Sequence, residues 1–92
     1  MAKYYVSFYD KIPVEGIDNA RKTAYKLLND PDYGEMEVPI YEKKSAKYGE
    51  FVGIVNFTKS HYMKREGLSW TVRKNGKLVN VPLNRNGTLR KN

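Results

Sequence analysis

The stretch from Ser69 to Val81, SWTVRKNGKLVNV, reads as two short alternating segments on either side of Asn75-Gly76. Asn-Gly supplies two residues that tolerate positive φ, as the two-residue turn that matches a hairpin's twist demands. Centring the turn there sets a register in which Lys74 faces Lys77, Arg73 faces Leu78, Val72 faces Val79, Thr71 faces Asn80 and Trp70 faces Val81. Strand side chains alternate, so Trp70, Val72, Val79 and Val81 share one apolar face, and Thr71, Arg73, Leu78 and Asn80 share a mostly polar one. The register makes Trp70 a core anchor rather than an exposed ring. Asn86-Gly87 marks a second turn and leaves room for only a very short final strand.

Upstream, Phe51 to Phe57 (FVGIVNF) is apolar on both faces, as an interior strand at the sheet's centre is. Over residues 35 to 42, Met36, Val38 and Ile40 alternate with Glu35, Glu37, Pro39 and Tyr41, which predicts a half-buried strand; Pro39, lacking an N–H, predicts that it lies near an edge. Ile17, Ala20, Ala24, Leu27 and Leu28 recur at helical spacing. Asp18 suits a cap or the first turn, and Asn29-Asp30-Pro31 stops the ladder. Lys3 to Tyr9 predicts a strand with Tyr4, Val6 and Phe8 on one face, and Asp10 to Pro13 a connection. Lys43 to Glu50 and Thr58 to Gly67 are expected to be polar, basic-leaning loops. The expected architecture is α+β, in the order β-α-β-β-β-β: a mostly antiparallel sheet with one helix packed on one face. A single domain is expected over residues 1 to 89, followed by a basic tail at 90 to 92.

Composition narrows the chemistry. Cysteine is absent and His61 is the single histidine, so neither disulfides nor a structural zinc site is expected. The glycines match neither phosphate-cradling signature, no motif links His61 to a hydroxyl and an acid, and Glu35, Glu37 and Glu42 read as edge protection. Hence no cofactor, metal or catalytic residue is assigned. With no run of about 18 apolar residues and no signal-like start, the expectation is a cytoplasmic protein without membrane contact.

Charge is uneven. Residues 1 to 46 carry 7 Lys and Arg against 8 Asp and Glu, whereas residues 47 to 92 carry 10 against 2, so the whole excess of +7 lies in the second half. Such asymmetry suits a surface that attracts phosphate backbones or acidic partners, and it also suits a solvated face that maintains solubility. The candidate contacts are Lys59, His61, Tyr62, Lys64 and Arg65 from the expected loop, Arg73, Lys74 and Lys77 around the hairpin tip, and Arg85. Tyr62 suits base stacking, and a phosphate would relieve the Lys74–Lys77 repulsion. A small endoribonuclease using His61, Tyr62, Lys64 and Arg65 is the enzyme alternative.

Taken together, KYYVSFYDK, ARKTAYKLLND, VPIYEK, FVGIVNF and SWTVRKNGK with NRNGTL resemble the short Tyr- and Lys-rich accessory proteins of phages and prophages of Gram-positive bacteria. Some of those inhibit host defence, including anti-CRISPR proteins that bind a Cas effector or its guide RNA. The resemblance implies a non-enzymatic inhibitor of a host-defence ribonucleoprotein in the host bacterial cytoplasm, acting through a basic face; a stand-alone DNA- or RNA-binding regulator is the alternative.

Overall fold

The computed structural model describes residues 2–45, 47–59 and 66–90, the side chains of Thr58, Lys59 and Glu66 excepted. The elements are β1 (Lys3–Val6), β2 (Ile12–Glu15), α1 (Ile17–Leu28), β3 (Glu37–Lys43), β4 (Gly49–Lys59), β5 (Glu66–Lys74) and β6 (Lys77–Pro82). The strands form one sheet in the order β2-β1-β3-β4-β5-β6, with every neighbouring pair antiparallel. This is the expected α+β fold, with a single helix among the described residues; the first strand of the β-α-β-β-β-β order is doubled into a hairpin. Since β2 and β3 both run antiparallel to β1, they are parallel to each other, and α1 is the crossover that joins them over β1.

The β5–β6 hairpin has the predicted register at all five pairs from Trp70↔Val81 to Lys74↔Lys77, and Asn75 and Gly76 take φ of 51° and 78°. Trp70 is buried at 4 % exposure. It lies flat on β4: a Cβ at Gly53 would stand 2.6 Å from the ring. The Arg21 guanidinium lies over the ring, 4.7 Å from its centroid. Arg21 bonds Asp18 Oδ1 at 3.0 Å and the Gly87 carbonyl at 3.3 Å. Burial pushes the Arg21 pKa down and the neighbouring Asp18 carboxylate opposes this. Asp18 therefore sits in the first helical turn as an ion-pair partner; Gly16 is the N-cap residue, with no side-chain cap.

The second predicted turn closes the core from the C-terminal side. Leu83 bridges Leu89, Gly87 adopts φ 92°, and a Cβ there would collide with the Asp18 carbonyl oxygen. Around Trp70 pack Val6, Ala20, Ala24, Val38, Ile40, Val55 and Leu83. The helix lies over β1, β2, β3 and β4, so the helix-side face is covered and the opposite face is open.

Several local expectations are corrected. The loops expected at Lys43 to Glu50 and Thr58 to Gly67 are cut back by the strands, since β3 includes Lys43, β4 runs from Gly49 to Lys59 and β5 begins at Glu66. The first strand stops at Val6 because Ser7 turns into the left-handed region (φ 73°), which throws Phe8 and Tyr9 out of the Tyr4–Val6 face. Residues 12 and 13 are not connection but part of β2, paired with Val6 and Tyr5. Finally, β3 lies inside the sheet, not near an edge. Pro39 is tolerated there because its carbonyl accepts from Ser7 N–H at 3.0 Å, while the Ser7 carbonyl, which would need the missing N–H, accepts from Lys11 instead at 3.1 Å.

Two substitutions test the ring's place. Trp70→Ala is expected to lower unfolding free energy by about 3–5 kcal/mol, or to prevent folding. Gly53→Ala, which overpacks the ring, is expected to cost about 1–3 kcal/mol in a urea titration, followed for Gly53→Ala by the fluorescence of the sole tryptophan and for Trp70→Ala by circular dichroism.

Candidate functional site

The open face of the sheet is built by the other half of each alternation. Register places Tyr5 opposite Tyr41, and Tyr41 opposite Phe51, so three aromatic side chains stand in a row across β1, β3 and β4. Tyr41 and Phe51 meet edge-on with centroids 5.8 Å apart, and Phe8 stands 6.4 Å from Tyr41. A bulge in the β3–β4 pairing between Ile40 and Tyr41 permits this. It turns Phe51 onto the open face, whereas strict alternation from the buried Gly53–Ile40 pair would send it to the helix side. Phe51 is 49 % exposed.

Two turns flank the row. Ser7 is fully buried and holds the first through Lys11 N–H to its carbonyl, presenting Phe8, Tyr9 and Lys11. In the second, Ser45 Oγ accepts from Tyr48 N–H at 3.0 Å, and Lys44 and Ser45 N–H both donate to the Tyr48 carbonyl. Between the turns lies a pocket of about 200 Å³ lined by Tyr5, Phe8, Lys11, Tyr41, Lys47, Tyr48 and Gly49. Its floor is close to Tyr41 because residue 49 has no side chain: a Cβ there would lie 2.9 Å from Tyr41 Cβ. Lys43 Nζ stands 5.6 Å from the Tyr5 ring centroid, within reach of a cation–π interaction.

Charges on the open face are sorted by end. Lys3, Lys43 and Arg73 project from the strands at one end, where Glu15 on β2 stands opposite Lys3, and Glu37 projects at the other. On β3 and β4 the acids at this end, Glu42 and Glu50, pair on the helix-side alternation, where Lys44 bridges them at 3.3 and 3.5 Å. Hydrogen bonding to Glu42 raises the Lys44 pKa, so this surface interaction is complete below the ordinary lysine value of 10.5 and is lost as pH rises through the raised one. Beside the aromatic row, β4, β5 and β6 contribute a polar set: Ser69 Oγ donates to Asn56 Oδ1 at 2.7 Å, and Thr71 Oγ1 to Asn80 Oδ1 at 2.6 Å.

The candidates drawn from sequence are divided by this geometry. Arg73 belongs to the open face, paired with the exposed Leu78. Lys74 and Lys77 lie opposite each other as expected, but on the Trp70 alternation, facing away from the aromatic row. Arg85 follows Pro82, whose partner Ser69 is five residues from Lys74, so it lies roughly 17 Å along the hairpin from the tip. Lys59 closes β4, with its side chain outside what is described, and His61, Tyr62, Lys64 and Arg65 lie outside the described residues. Sequence reasoning missed Tyr5, Phe8, Lys11, Tyr41, Lys43, Lys47, Tyr48 and Phe51. Cutting the charge at mid-chain hid Lys11 and Lys43, because the first half holds 8 acids against its 7 basic residues. The signal that could have found the rings was the alternation itself, which put Tyr5 and Tyr41 opposite the core positions.

Among the described residues, no group of three or more His, Cys, Asp or Glu side chains is placed to hold a metal ion, and no helix is long and apolar enough to cross a membrane. No protein-family model matches the chain, and no curated protein or solved structure matches it.

Proposed function

We propose that this chain is a non-enzymatic binding protein whose open sheet face takes single-stranded nucleic acid. The observation that carries this reading is the lateral row Tyr5–Tyr41–Phe51, with Lys43 beside it on β3 and Lys11 and Lys47 on the flanking turns. Unpaired bases present flat faces that stack on aromatic rings whatever their identity, and ammonium groups beside the rings neutralise the phosphates. In a duplex those base faces are already stacked, so such a row favours single strands. Continued across the sheet at the same end, the row reaches Arg73 and Leu78. Five strands at about 4.8 Å separation span roughly 19 Å, enough for about four to six nucleotides. The path avoids Glu37, which lies at the opposite end. The Thr71 and Asn80 side chains beside it supply donors and acceptors for base edges.

Inhibition of a host-defence ribonucleoprotein, the role implied by the phage-protein resemblance, is one setting in which such a face acts, with exposed guide RNA as its ligand. A stand-alone regulator would use the same face on DNA or RNA.

Fluorescence anisotropy with a labelled single-stranded oligonucleotide tests the reading. Tyr41→Ala and Phe51→Ala are each expected to weaken binding by about 1–3 kcal/mol, roughly 5- to 150-fold, with the far-ultraviolet circular dichroism unchanged. Equal affinity for duplex and single strand, or undiminished binding by both variants, would overturn it. RNA shortened by the incubation would move the assignment to the ribonuclease alternative.

The salt dependence separates the two faces of the hairpin. Four cations on phosphates, Lys11, Lys43, Lys47 and Arg73, give a slope of log K against log salt of roughly −3. Arg73→Gln is expected to reduce its magnitude by about 0.7, whereas Lys74→Gln with Lys77→Gln leaves it unchanged, and each protein keeps its stability within about 0.5 kcal/mol.

A further inference from the structure

The aromatic row has an end, and the pocket lies there. Past Tyr5 the sheet continues only to Pro13 on the edge strand β2, so a strand lying across the face terminates over the pocket between the two turns. The pocket's chemistry differs from that of the open row. Its volume, about 200 Å³, is below the roughly 300–1,000 Å³ of sites that enclose drug-sized ligands, and suits a single ring system. Its walls are aromatic: Phe8 and Tyr48 project from the two turns, 57 % and 59 % exposed, over a floor of Tyr5 and Tyr41. Lys11 comes from one turn and Lys47 from the other, and among the described residues no carboxylate lines it. Two ammonium groups on one small aromatic pocket call for a flat ring that carries an anion close by. Both turns are fixed before any ligand arrives, one by the Ser7 backbone bonds and the other by Ser45, so little ordering cost remains for binding.

From this we infer that the pocket is a site for one terminal, phosphorylated nucleotide: the base lies against the tyrosine and phenylalanine rings, and the terminal phosphate is held by Lys11 and Lys47. The inference rests on the single-strand reading of the open face, and it adds that the face binds strand ends rather than strand interiors.

Amide chemical shifts of the labelled protein test it, with adenosine monophosphate, adenosine and inorganic phosphate added separately, followed by short oligonucleotides with and without a terminal phosphate. Adenosine monophosphate is expected to move the amides of Lys11, Lys47, Tyr48 and Gly49 and to bind at least tenfold more tightly than either fragment. A terminally phosphorylated oligonucleotide is expected to exceed its unphosphorylated form by a similar factor. Lys11→Gln combined with Lys47→Gln should abolish that preference without disturbing the remaining shifts. If the oligonucleotides bind equally well with and without the phosphate, and the mononucleotide leaves the pocket amides unmoved, the end site is overturned and the open-face reading stands. If the mononucleotide binds and oligonucleotides gain nothing over it, the end site stands and the open-face reading falls. Shifts produced by inorganic phosphate alone, equal to those of the nucleotide, would reduce the pocket to an anion site and overturn the inference. If nothing binds, both fall.

Discussion

A tryptophan ring that packs against a glycine and carries an arginine over it ties this small domain together. Gly53 belongs to β4, Trp70 to β5 and Arg21 to α1, and through Arg21 the C-terminal turn at Gly87 joins the same stack. Each partner has a physical requirement that excludes most substitutes. Gly53 must lack a side chain, Trp70 must be wide enough to fill the space under the helix, and Arg21 must offer both a flat cation for the ring and donors for Asp18 and the Gly87 carbonyl. The Arg21 Nε is buried without a hydrogen-bond partner among the described residues, so the cation's burial is compensated at its other nitrogen and by the ring. Since the helix-side face is closed around this stack, the opposite side chains of the same strands are left to solvent.

What could be read in the sequence follows from how local each signal is. The β5–β6 hairpin was legible residue by residue because Asn75-Gly76 fixes its own turn, and period two then assigns every side chain from Trp70 to Val81. The helix was legible because Ile17, Ala20, Ala24, Leu27 and Leu28 repeat its period, and the observed helix runs from Ile17 to Leu28. The first hairpin was not. Its turn uses Ser7 and Lys11 at positive φ, residues that carry no such preference on their own, and the Pro39 carbonyl and other tertiary bonds supply the stabilisation. Pro39 misled for a related reason: the penalty of a missing N–H vanishes where the neighbouring strand has already turned away.

The candidate site shows the same limit in another form. Charge summed along the chain pointed to the C-terminal half, but a face is assembled from every second residue of several strands. Lys43 and Glu42 are neighbours in sequence and lie on opposite sides of the sheet, so their sum is zero while their fields are separated by its thickness. Lys74 and Lys77 are charged and exposed, yet their alternation places them on the side away from the aromatic row. Arg73, between them and the rest of β5, is the member of the predicted set that joins the row.

The bond from Arg21 to Gly87 links residues 66 apart in the chain. Its consequence concerns the order in which the molecule can form. The helix and its cation are made before the Trp70 ring that covers the guanidinium, and before the Gly87 carbonyl that completes its environment. Long-range contacts of this kind delay the entropy repayment of early structure until the distant segment docks. The helix therefore gains its full set of contacts only when the turn at Gly87 closes over it.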